Sequence, residues 1–140
     1  MDRDNEKCVV IIDETLPIGM AANTAAILGL TIGAEEPSII GPVVTDGAGR
    51  EHLGITIAPI PVLKGSRATM MELRDKLFDP EYADVKAVDF SETAAYSNSY
   101  SDYKDRLAEQ SGAAIRYIGL GLIGPKKKIN RLTGGLPLLK

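Results

Sequence analysis

Five consecutive residues, Cys8 to Ile12, read CVVII, and Asp13 ends the run. β-Branched side chains with no polar position among them suit a strand buried on both faces. Such a strand demands cover above and below, and the rest of the chain supplies it in alternation. Thr15 or Leu16 caps a helix with Pro17 in its first turn, where a missing N–H costs nothing, and that helix runs to about Leu30 or Gly33. SIIGPVV and HLGITIAPIPVL then flank TDGAG, a turn signal at Asp46-Gly47 that predicts a β-hairpin.

Ile60 to Leu63 reads as a further strand. Ser66 or Thr69 caps a helix through Phe78, with Met70, Leu73 and Leu77 on one face. Val85 to Phe90 is another strand. SYSDYKDRLAEQSG follows as a helix, with Tyr100, Tyr103 and Leu107 on one face and Gly112 as its stop. AIRYIGLGL is the last strand, and Pro125 opens a final helix to about Leu132. Strands alternating with helices predict an α/β fold, a central sheet covered on both faces and mixed because of the hairpin. A length of 140 residues, 44% hydrophobic and without internal repeats, fits one domain over residues 1–140.

Charge and cysteine content narrow the function classes. A formal charge of −3 gives no basic field to attract nucleic acid. Cys8, the single cysteine, has no partner for an internal disulfide and reads as a buried, reduced thiol. The opening MDRDNEK has no apolar signal-peptide core, and no apolar stretch approaches the roughly 18 residues of a membrane span. The expectation is a soluble, cytoplasmic protein with no membrane partner.

GLGLIG is a literal G-x-G-x-x-G, with Gly119, Gly121 and Gly124 between a strand and a helix. A dinucleotide site also needs a second parallel strand and an acidic residue roughly 20 positions on. No acidic residue follows Glu109, so no dinucleotide cofactor is expected. Lys126, Lys127 and Lys128 crowd the start of the last helix, either as an anion site or as a solvated face. His52, the only histidine, lies near Asp46 and Glu51 on the hairpin, in no metal-binding spacing. Lys64 ends a strand, and Asp89, Glu92 and Thr93 closely follow another, where α/β sheets present ligand-facing groups. Tyr96, Tyr100 and Tyr103 could form a base-stacking platform, but Asp102 and Asp105 beside them oppose phosphate, and Tyr100 and Tyr103 read as packing residues in a core or a dimer.

Two separated segments carry a family resemblance. The opening CVVIIDETLPIGMAANTAAI resembles the first strand and helix of type II peptidyl-tRNA hydrolases. The closing IGLGLIGPKKKINRLTGGLPLL resembles that family's final strand, its Gly-x-Gly-Pro-type turn and its ending, on which Ile129, Leu132, Thr133, Gly134 and Leu136 fall. PVLKGSRATMMELRDKL fits the intervening strand, its trailing lysine and the next helix. More specifically, the chain resembles a family of uncharacterised bacterial proteins of that fold with a domain-of-unknown-function label. The resemblance implies a three-layer sandwich with a mixed four- to five-stranded sheet, often a homodimer, and makes GLGLIG a strand-to-helix turn.

The sequence departs from the hydrolases where their chemistry lies. Ile18 and Gly19 stand nearest their turn lysine, and Ala21, Ala22, Asn23 and Thr24 replace their Ala-Ala-Gln-Cys. DFSETAAYSNSY replaces their Asp-Ala-Gly-Arg-Thr, with Asp89 and Thr93 matching loosely. The missing lysine removes the charge that would hold a phosphate or polarise an ester. The reading that follows is a small anionic ligand bound near the start of the first helix by Asn23, Thr24, His52, Lys64 and Thr93, without metal or cofactor. The alternatives are hydrolysis of an ester or amide such as peptidyl-tRNA, and a dimeric interaction module.

Overall fold

A computed structural model describes residues 1–140. Its central sheet has the order β4-β1-β6-β5, formed by Glu6–Asp13 (β1), Val62–Gly65 (β4), Lys86–Ser91 (β5) and Tyr117–Pro125 (β6). β1 and β4 pair in parallel, while β6 runs antiparallel to both of its neighbours, β1 and β5. The sheet is therefore mixed because β6 is reversed. The hairpin plays no part in this, contrary to expectation: Val44–Thr45 (β2) and Glu51–His52 (β3) form a separate two-stranded sheet, turned at Gly49 with a φ of 78°.

The alternation of side chains along β1 divides the core in two. Val9 and Ile11 face the layer of Arg67–Leu77 (α2) and Lys126–Thr133 (α5), joining Leu63, Met70, Leu73, Leu120, Leu122 and Ile129. Cys8, Val10 and Ile12 face the other way, onto Ala21, Leu28 and Ile32 of α1 (Ile18–Glu35). The run CVVII is thus buried on both faces. Two further helices, Glu92–Ala95 (α3) and Tyr100–Ala108 (α4), follow β5.

Element boundaries shift where local chemistry competes. Thr15 does not cap α1; its amide and hydroxyl both donate to Asp13 Oδ1, at 2.9 and 2.7 Å. The helix starts at Ile18, after Pro17, and continues to Glu35. Ser66 caps α2 by accepting from the Thr69 amide. At the far edge β4 is partly covered: the Lys64 amide donates to the Pro137 carbonyl, and the Leu139 amide to that of Val62. β5 has strand pairing on one side only. Tyr100 is exposed, stacked edge-on against half-buried Tyr103, so the pair is not a core element.

One expectation about length needs correction. α1 has 18 residues and a mean hydropathy of 1.2, enough by length and composition for a membrane span. Its inner face nevertheless packs on the sheet through Ala21, Thr24, Leu28 and Ile32, leaving Ile18 and Leu30 outward.

The glycines of GLGLIG lie within β6 and do not form a turn. Gly119 and Gly121 share a face with Ile123, toward α1. A Cβ on Gly119 would stand 2.4 Å from Thr24 Cγ2, and one on Gly121 would stand 2.8 Å from Ile32 Cδ1. Bare backbone at both positions lets α1 lie close on the sheet.

Cys8 sits at zero exposure, and burial pushes its thiol from 9.0 up to about 11. A thiol-specific disulfide reagent should therefore label the native protein at pH 8 no faster than it unfolds. Fast native labelling would contradict the burial. Because the folded thiol holds its proton to higher pH than the unfolded one, this group's contribution to stability is complete below pH 9 and declines as pH rises toward 11.

Candidate functional site

β1, β4 and β5 point the same way, so their carboxyl ends meet at one end of the sheet, where β6 begins. Ligands of open α/β sheets bind outside such ends. The residues gathered there are Asp13 closing β1, Arg67 opening α2, Glu92 opening α3, and Arg116 just ahead of β6. The Glu92 amide donates to the Arg116 carbonyl at 2.9 Å, fixing the two together. Ser91, fully buried, caps α3 by accepting from the Ala94 amide.

Arg116 bridges two carboxylates unequally. Its Nη1 lies 2.9 Å from Glu92 Oε2, while Nη2 stands 3.7 Å from Asp13 Oδ2, beyond hydrogen-bond reach. The Asp13 side chain is 2% exposed, and that of Arg116 34%. Asp13 Oδ2 and Arg116 Nε are both buried without a hydrogen-bond partner. Such a deficit is costly unless other contacts or a ligand offset it.

In front of Arg116 opens a cleft of about 490 Å³. Arg67, Arg106 and Arg116 line it with Glu92, Glu109, Thr93, Tyr96 and Gln110. Arg106 is paired to Asp102 at 3.1 Å, and Arg116 to Glu92. Arg67 makes no ion pair and no side-chain hydrogen bond, so its guanidinium is free to meet an anion.

The residues expected to form a site do not converge. Thr93 lines the arginine cleft, where its hydroxyl donates to Gln110 Oε1 at 2.6 Å. Asn23 and Thr24 line a neighbouring cavity, which shares only Tyr96 with the cleft. The Thr24 hydroxyl is spent on the Met20 carbonyl, and its methyl group packs toward Gly119. Lys64, half-buried on β4, lines neither cavity. His52 is on the separate hairpin, 61% exposed, 2.9 Å from Asp46; that contact, first among several hydrogen bonds, holds the Asp46 carboxyl below its usual range.

Other sequence candidates have structural partners. Asp89 binds Arg74 at 2.8 Å, tying β5 to α2. Of the lysine run, only Lys128 has a side-chain partner, reaching the Glu81 carbonyl and Asp84; the side chains of Lys126 and Lys127 are exposed and unpaired, a solvated face. The sequence did not single out Asp13, Arg67, Arg106 or Arg116 as site residues, and it offered Tyr96 only as part of a base-stacking platform. Asp13 and Arg67 carried a local signal, since Asp13 ends a strand and Arg67 follows the Ser66 helix cap. Arg116 carried none, because it precedes an antiparallel strand.

The fold and the cleft define a small α/β protein with an arginine-rich crevice at one end of a mixed four-stranded sheet. The chain belongs to the family described as Protein of unknown function (DUF2000), whose model matches residues 6–140. A solved structure, that of the protein of unknown function Atu0240 from Agrobacterium tumefaciens strain C58, is similar at 22% identity with a TM-score of 0.85. The match covers 96% of this chain and 97% of that one. No curated protein matches the sequence.

Proposed function

We propose that the protein binds a small anion in the cleft at the carboxyl ends of β1, β4 and β5. The observation that carries this reading is Arg67, an unpaired guanidinium lining the same cleft as Arg106 and Arg116. A carboxylate or phosphate would supply the partner that no side chain of this chain supplies, and planar guanidinium groups suit its two-oxygen geometry.

The test is thermal unfolding in phosphate or citrate against chloride at matched ionic strength. At ten times Kd a ligand adds roughly 1.4 kcal/mol, a rise of about 4 °C in Tm for a chain of this size. Arg67→Ala should abolish that rise. No shift with either anion, or a shift that survives Arg67→Ala, would contradict the reading.

Hydrolysis of an ester or amide, on a fold of the type II peptidyl-tRNA hydrolase kind, has one observation in its favour. Asp13 keeps a carboxylate oxygen without a hydrogen-bond partner, as a general base must; it is buried behind Arg116, so a base role also requires that guanidinium to move aside. Turnover of peptidyl-tRNA by the purified protein, lost in Asp13→Asn, supports this second reading; no turnover above background removes it.

A further inference from the structure

The arginine cleft is bounded by Tyr96, which is 63% exposed and walls a second cavity of about 390 Å³. That cavity is lined mainly by Met20, Ile27, Phe90, Ala94 and Ala95. The geometry points to two subsites of one ligand, an amphipathic organic anion. Its acidic head sits among the arginines, and an alkyl or aryl body crosses Tyr96 into the apolar cavity. This inference rests on the anion reading of the cleft and adds the class of molecule.

The polar inventory of the second cavity supports the division. It contains no ionisable carboxylate, lysine or arginine. Thr24 spends its hydroxyl on the Met20 carbonyl, so it offers the ligand only a methyl group. Asn23 is exposed, and its side-chain amide makes no hydrogen bond within the protein. One amide reads one carbonyl or hydroxyl on the ligand's body, and nothing there accommodates a second charge. An inorganic anion would leave this cavity unused, whereas an attached chain gains by burying apolar surface.

α3 joins the two halves. Thr93 faces the cleft, Ala94 and Ala95 face the apolar cavity, and Tyr96 closes the helix between them. The small side chains at 94 and 95 preserve the space. The grooves along the open edge of β5 suit an anion less well: one sets Glu35 and Asp89 against Lys86 alone and the other has Asp89 with no cation, whereas the cleft sets three arginines against Glu92 and Glu109.

Calorimetric titration with acetate, butanoate, hexanoate, octanoate and phenylacetate, beside inorganic phosphate, tests the inference. Each methylene that enters the cavity should tighten binding about threefold to fourfold, and phenylacetate should bind more tightly than acetate. Ala94→Leu and, from the opposite wall, Asn23→Phe should each flatten the dependence on chain length. Arg67→Ala should weaken every member of the series. If phosphate binds through Arg67 but the carboxylates bind with equal affinity, the amphipathic ligand is wrong and the anion cleft stands. If no anion binds, both readings fall. A chain-length dependence that survives in both cavity-filling variants, each confirmed folded, places the apolar body elsewhere and also overturns the inference.

Discussion

Gly119→Val should destabilise the protein by more than about 3 kcal/mol, and Gly119→Ala by about 1–3 kcal/mol, the usual cost of overpacking a filled core. The first added atom already meets Thr24 Cγ2 at 2.4 Å and Leu28 Cδ1 at 2.9 Å. Both contacts belong to α1 residues that are buried against β6. Relief would require α1 to lift off the sheet or Leu28 to leave its rotamer. Against a total stability on the order of 5–15 kcal/mol, the valine variant loses a large share.

Urea unfolding checks this directly, and a second substitution makes the explanation specific. Thr24→Ala removes the nearest methyl group, so Gly119→Ala should cost less in the Thr24→Ala background than in the natural sequence. Equal costs in the two backgrounds would mean that close approach of α1 is not why glycine stands there. A Gly119→Ala protein with an unchanged midpoint would say the same.

Arg116→Met carries the other large expected effect. It leaves the Asp13 carboxylate 2% exposed with no cation beside it, a situation that costs roughly 3–5 kcal/mol when a buried pair is broken. Arg116 is one-third exposed and only 3.7 Å from Asp13 Oδ2, so water already screens part of the attraction and the lower end of that range applies. Asp13→Asn should restore much of the loss in the Arg116→Met background, because a buried amide costs less than a buried charge. Denaturant midpoints of the two single variants and the double variant close the cycle. If the double variant is no more stable than Arg116→Met, the buried charge is not the cause. Arg116→Met should also lose the stabilisation by phosphate, since it removes one of the three guanidinium groups lining the cleft.

Most of the fold was legible along the chain. CVVII announced a strand covered on both sides, and it lies between two helical layers. Met70, Leu73 and Leu77 share a buried face of α2 as their spacing predicted. The errors came from competition at short range. Thr15 turned its hydrogen bonds back to Asp13, so α1 began later, and the 40–60 region spent its β-propensity on a two-residue ladder outside the main sheet.

The site was legible only in fragments. Thr93 was identified from its position after a strand and lies in the cleft, and Asn23 lies in the cavity next to it. Lys64 and His52 have the same chemistry on paper as a binding residue, yet strand pairing and the hairpin carry them elsewhere.

The sequence by itself determined the strands of the main sheet, α2 and the buried faces of β1 and α2, because hydrophobic periodicity acts over a few residues. It also showed the glycine spacing of GLGLIG. Only the tertiary structure decided what those glycines are for. Strand pairing brings Gly119 beneath Thr24, 95 positions away in the chain, and turns an apparent phosphate loop into a seat for a helix. The reversed β6 likewise carries Arg116 to Asp13 and Glu92. Convergence of this kind depends on strand order and direction, long-range quantities that no local pattern encodes.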